Sequence, residues 1–202
     1  MIYVESASGQ GFSVDFHEIL RYLGYQNAEP EPVVKAQIEA ITDEVIAALQ
    51  CRACYCLCDI LVAGDTIDFG VFSVTSHDLA KALFGCGKAF LFCATIGVGV
   101  DRIIAKYSQT KPSAAVIAQA AGAATIESFC DLVCCRIAEK QSEKHCSLRP
   151  RFSSGYGDFS LSYQKEIFRV LDCAKHIGVS LTQSLMMTPS KSVSAVIGVA
   201  SE

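Results

Sequence analysis

A chain of 202 residues fits one domain, or two small ones, and folding at that size buries roughly 70% of the unfolded surface without help from staples. Its 51% hydrophobic and 19% charged residues exclude a disordered chain. A formal net charge of −4 with no basic run argues against a nucleic-acid or anionic-membrane surface. No apolar run reaches the roughly 18 residues of a membrane span. Met1-Ile2-Tyr3-Val4-Glu5 lacks the basic-then-apolar pattern of a secretory signal, so a cytoplasmic location is expected.

Ser13 to Leu23 reads as a first helix, with Asp15 and Glu18 at capping-box spacing and Gly24 ending it. Asp15-x-His17 opens the D-x-H-x-x-G pattern of cobalt-ligating modules, but the glycine position is Leu20. His17 is expected on the helix surface. Asn27 to Pro32 is a polar linker, and Pro32 suits the first turn of a second helix. Val34, Ile38, Ile41, Val45 and Leu49 recur at helical spacing through residues 32–50.

Cys54 to Val62 and Thr66 to Val74 read as strands joined by a turn at Ala63-Gly64-Asp65. The chain holds eleven cysteines, an odd number that does not suit a disulfide framework. Cys51, Cys54, Cys56 and Cys58 are close enough for a metal site, but their spacing is not that of paired CxxC knuckles. On a strand, Cys54, Cys56 and Cys58 would share one face, and Cys130, Cys134 and Cys135, in a helical pattern among small apolar residues, would behave as small hydrophobes.

Thr75 or Ser76 can cap a short helix to Phe84, closed by Gly85, and Lys88 to Thr95 reads as a buried strand. Gly97-Val98-Gly99 stands where a dinucleotide loop would stand, before a helix from Val100 to Tyr107. The third glycine of such a loop falls on Arg102. Pro112 opens the longest helix, to about Lys140, thin with alanine and carrying Glu127 on a small-residue surface. Gln141 to Leu148 is a polar connection. Ser162 to Ile177 is a helix ended by Gly178. Val179 to Met187 and Ser192 to Val199 read as a hairpin across Thr188-Pro189-Ser190-Lys191. Helices and neighbouring strands without βαβ alternation predict a single α+β domain, with antiparallel sheet flanked by helices.

Between the last two helices lies Arg151-Phe152-Ser153-Ser154-Gly155-Tyr156-Gly157-Asp158. A fixed cation, bare main chain at glycine and a phenol suit a small zwitterionic or aromatic ligand. The other reading is a tight turn whose arginine pairs with a surface acid.

Arg-x-x-x-Gly-Tyr, here Arg151 to Tyr156, resembles the signature of the activation domain of cobalamin-dependent methionine synthase. Leu148-Arg149-Pro150 and Gly157-Asp158 on its flanks resemble the stand-alone version of that domain. So do Arg21-Tyr22-Leu23-Gly24-Tyr25, Ala94-Thr95-Ile96-Gly97 with Asp101, and Pro189-Ser190-Lys191-Ser192-Val193-Ser194. The resemblance implies one domain over residues 1–202, with the helical segment 1–50 packed on the main body.

It also implies that S-adenosylmethionine binds through Arg151, Ser153, Gly155, Tyr156 and Glu127, with no catalytic residue and no metal ligand of the chain's own. Arg151 would take the ligand's carboxylate and Glu127 its ammonium or a ribose hydroxyl. The main chain at Ser153 and Gly155 would read the adenine, and Tyr156 would lie near the sulfonium. The implied role is that of an accessory subunit for reductive methylation of cob(II)alamin to methylcobalamin. The cobalamin is carried by a methionine synthase subunit, and an electron comes from flavodoxin or a similar donor. The chain departs from the family at two places: His145 stands where an acid is common, and Ser154 where proline is. The alternative reading is a structural or regulatory subunit of a corrinoid methyltransferase complex that binds no ligand.

Overall fold

The computed structural model describes residues 1–7, 13–25, 28–143 and 145–201, so Asn27 of the expected linker lies outside the described residues. A five-stranded antiparallel sheet forms its centre, in the spatial order β1 (Tyr3–Ala7), β2 (Cys51–Asp59), β6 (Cys86–Thr95), β10 (Ser192–Ser201), β7 (Cys146–Leu148). Between β2 and β6 the chain forms a small sheet of β3 (Leu61–Ala63), β4 (Thr66–Asp68) and β5 (Ser73–Thr75). A two-stranded ribbon, β8 (Ser180–Leu181) with β9 (Met187–Thr188), precedes β10. This is the α+β domain expected, with one correction at the C-terminus. β10 pairs with β6 and β7 rather than with residues 179–187. The segment before it turns back on itself, with Thr182 N–H donating to the Met186 carbonyl.

Strand alternation builds a core on each face of the sheet. Cys51, Ala53 and Tyr55 of β2, Phe90, Phe92 and Ala94 of β6, and Ala195 and Ile197 of β10 face one core. That core is covered by α1 (Phe16–Tyr22), α2 (Pro32–Ala47), α4 (Val98–Thr110) and α5 (Pro112–Ser142). Cys54, Cys56, Ala89, Leu91, Cys93 and Val196 face the other core, covered by α3 (His77–Ala82), α6 (Gln164–Leu171) and α7 (Cys173–Ile177). Cys54, Cys56 and Cys58 therefore share a face, as strand geometry requires. No disulfide and no cluster of His, Cys, Asp or Glu suited to a metal ion occurs among the described residues. Burial pushes the Cys51 thiol up to about 12.

Local signals set most helix ends. Asp15 caps α1 by accepting from His17 N–H, so the helix begins at Phe16 rather than Ser13. Glu18 does not complete a capping box and instead pairs with Arg21. Gly24 at φ +84° closes the helix, with Tyr25 N–H reaching back to the Leu20 carbonyl. Ser76 caps α3. The expected helix over 162–177 is two helices, because Asp172 adopts the left-handed conformation between α6 and α7. Thr66 to Val74 is likewise split, since the chain turns at Phe69–Phe72 between β4 and β5. Ala63 pairs with Thr66 across Gly64-Asp65, the turn the sequence predicts.

α5 is long and apolar enough by composition to cross a membrane, but 61% of that stretch is buried within the protein. Its alanines and Gly122 let α4, α2 and α1 pack close. The Gly97-Val98-Gly99 turn is filled by the chain itself. Gln50 N–H donates to the Ile96 carbonyl. A Cβ on Gly97 would lie 2.8 Å from Gln50 Cβ, and one on Gly99 would lie 2.5 Å from the Ala48 carbonyl oxygen. These glycines admit the end of α2, not a pyrophosphate. Gly99→Ala should therefore destabilise the fold by about 1–3 kcal/mol despite alanine's better helix propensity. A thermal melt that is unchanged or raised would show that α4 can shift to make room.

Candidate functional site

The Arg151–Asp158 loop is fastened at three points. Phe152 forms an isolated two-way bridge with Val196, continuing the edge that β7 begins along β10. Gly155, at φ +94°, donates its N–H to the Phe159 carbonyl at 2.7 Å. Phe159 is buried and packs between Phe152 and Tyr163. Asp158 then caps α3, accepting from Ser76 Oγ, His77 N–H and Asp78 N–H, while its own N–H donates to the Asp78 carboxylate. Gly157 is required beside that exchange, because a Cβ there would fall 2.1 Å from Asp78 Oδ2.

Arg151 reaches across to α5. Nη2 donates to Glu127 Oε2 and Nη1 to Asp131 Oδ1, each at 2.7 Å, and Nη1 also lies 3.7 Å from Cys134 Sγ. Glu127 and Asp131 are one helical turn apart, so one planar fork spans both. The side chain of Arg151 is 19% exposed, those of Glu127 and Asp131 46% and 70%. The guanidinium is thus neither sealed in the core nor unpartnered; it faces two acids of its own chain.

Glu127, Ser153 and Tyr156 line one open cleft of about 280 Å³. An adjoining recess of about 260 Å³ brings in Arg151. The far wall is Leu185, Met186 and Met187, and Gln164 joins it by donating to the Leu185 carbonyl. Leu185 sits at φ +65°, a conformation that costs a non-glycine residue free energy and is found at ligand-handling turns. Ser190, just before β10, and Ser192 and Ser194 at its start form the floor. Tyr156, 70% exposed, stands at the rim.

Of the five expected binding residues, the structure gathers Glu127, Arg151, Ser153 and Tyr156 at this cleft. Gly155 lies behind them, its N–H committed to Phe159. Glu143 and His145 do not line the cleft. Asp131 was legible only as the residue one turn after Glu127. The 182–187 wall carries no motif. The two C-terminal and central segments singled out in the sequence meet here: Ser190 donates through N–H and Oγ to Asp101, and Ile96 N–H donates to the Lys191 carbonyl.

Arg151→Ala should lower stability by about 1–3 kcal/mol, because two neighbouring carboxylates lose their shared cation. Arg151→Lys should recover only part, since an ammonium cannot span both acids. Equal thermal midpoints for the three proteins would show the bridge to be inert. Asp158 is held below its ordinary carboxylate value, first by the Ser76 hydroxyl and then by the His77 and Asp78 amides. Its contribution to stability is therefore complete above about pH 4 and is lost as pH falls through the lowered value. Asp158→Asn should flatten the acid limb of a urea-unfolding series. An unchanged acid limb would show that the cap does not titrate with unfolding.

No curated protein sequence matches the chain. Among solved structures, the crystal structure of the MetH reactivation domain bound to AdoHcy superposes with a TM-score of 0.74. It is 17% identical and covers 98% of this chain and 78% of that one, which establishes a common fold. Residues 50–202 match the family described as vitamin B12 dependent methionine synthase, activation domain. That span includes the arginine-to-tyrosine loop, α5 and every wall of the cleft, and the chain belongs to this family of activation domains.

Proposed function

We propose that the chain binds S-adenosylmethionine in the cleft between α5, the Arg151–Asp158 loop and the 182–187 turn, and presents its methyl group to cobalamin held by a methionine synthase partner. The observation that carries this reading is convergence: Glu127, Ser153 and Tyr156, from two distant stretches of sequence, line a single open cleft with Arg151 beside it.

The residues fit the ligand's charges. Two carboxylates face one guanidinium, an excess of one negative charge. S-adenosylmethionine carries a carboxylate, an ammonium and a sulfonium, an excess of one positive charge. Glu127 and Asp131 favour the cationic groups. Arg151 has five N–H donors and can offer those not committed to the two acids to the ligand's carboxylate. Tyr156 supplies a ring face or hydroxyl near the sulfonium. The apolar wall at Leu185 and Met187 shields a heterocycle from water.

Cobalamin, when brought by the partner, supplies the cobalt that accepts the methyl group, and flavodoxin or a similar donor supplies the electron. The residues of this chain bind, orient and exclude water; none needs to act as nucleophile or base. S-adenosylhomocysteine leaves as the product.

Isothermal titration should show saturable binding of S-adenosylmethionine. Binding of S-adenosylhomocysteine should be several-fold weaker at low salt because it lacks the sulfonium charge, and the difference should narrow as salt screens the acids. No binding at millimolar S-adenosylmethionine would overturn the proposal. The pairing of Arg151 with Glu127 and Asp131 favours one rival, a domain that keeps the fold and docks to a corrinoid protein without a ligand. Absent binding together with retained association in pull-down would select that rival.

A further inference from the structure

We infer that the Ser154 hydroxyl is a specificity-determining contact of the cleft, made to a polar atom on the edge of the ligand's nitrogen heterocycle. This rests on the binding reading above.

Ser154 is 7% exposed and lines the cleft, and its Oγ has no hydrogen-bond partner. Among the described residues the other buried polar side-chain atoms without a partner are Gln37 Nε2 and Thr42 Oγ1, both on α2. Ser154 is therefore the one that borders the cleft. Two neighbouring hydroxyls are already committed, Ser190 to Asp101 and Ser192 to the Pro189 carbonyl.

The backbone around Ser154 is fixed by the Gly155-to-Phe159 bond and by Tyr156 N–H donating to the Ser153 carbonyl. What remains free is a single side-chain torsion with three staggered positions. A buried hydroxyl left unpaired is unfavourable, so a ligand that pairs it recovers that cost on binding. The apolar surfaces of Leu161 and Leu185 and the hydroxyl-lined floor suit a flat ring with a hydrogen-bonding edge.

The test compares wild type with Ser154→Ala by isothermal titration with S-adenosylmethionine and by thermal unfolding without it. Affinity should fall about three- to tenfold, while the thermal midpoint without ligand should stay level or rise as the unpaired hydroxyl is removed. Ser154→Cys, close in size and a weak hydrogen bonder, carries the same expectation should the alanine variant not fold. Wild-type binding that the variant matches would overturn this inference alone. So would a lowered midpoint, which would mean that the hydroxyl already has a partner within the protein. No wild-type binding would bring down the functional reading, and this inference with it.

Discussion

One guanidinium shared between two carboxylates holds the site together. Arg151 leaves the edge of the sheet where β7 has ended, crosses to α5, and meets Glu127 and Asp131 on consecutive turns. Without that span the loop would be fastened only by the Phe152–Val196 bridge, the Gly155–Phe159 bond and the α3 cap, none of which reaches α5. The bridge therefore sets the separation between loop and helix, and that separation is the cleft. The same three groups that brace the cleft give it a surplus of negative charge, so the stabilising contact and the electrostatic character of the site are one feature.

The two-sided sheet explains why the bridge can be placed so closely. β2, β6 and β10 are buried on both faces, with α5 laid across one and α6 and α7 across the other. α5 is kept in place by small residues that admit α4 and α2, and the glycines before α4 admit the end of α2 in turn. Close packing of this kind leaves little slack, so Glu127 and Asp131 are presented from a rigid element.

Much of this was legible in the sequence, for physical reasons. Pro32, Pro112, Gly24 and Gly178 punctuate helices by backbone geometry alone, and the long α5 follows from uninterrupted small and apolar residues. Cys54, Cys56 and Cys58 of β2 share one face, and Cys51 takes the other, because strands have period two. The segments that depend on tertiary contacts were not legible. Residues 179–187 have strand-like composition, yet a return turn and the long pairing of β10 with β6 leave them only two-residue strands. Asp172 breaks a helix whose apolar stripe continues on both sides. In the site, residue types pointed to Arg151 and Tyr156 and allowed an arginine paired with an acid, while Glu127 entered through the family resemblance; that Glu127 and Asp131 are the acids Arg151 holds was not legible. The wall at Leu185 is a turn closed by Thr182 with Leu185 and Met186, and its place against the cleft depends on Gln164 from another element.

The exchange between Asp158 and Asp78 makes a quiet corner of the molecule consequential. Each carboxylate holds main-chain N–H of the other's segment, so the first turn of α3 and the last residue of the loop form a single knot. Residue 78 does not line the cleft, yet the loop cannot keep its shape if that helix start is redrawn. Sequence drift at the head of a short helix on the far flank would then surface as altered ligand handling, and a survey of cleft-lining positions alone would miss its origin.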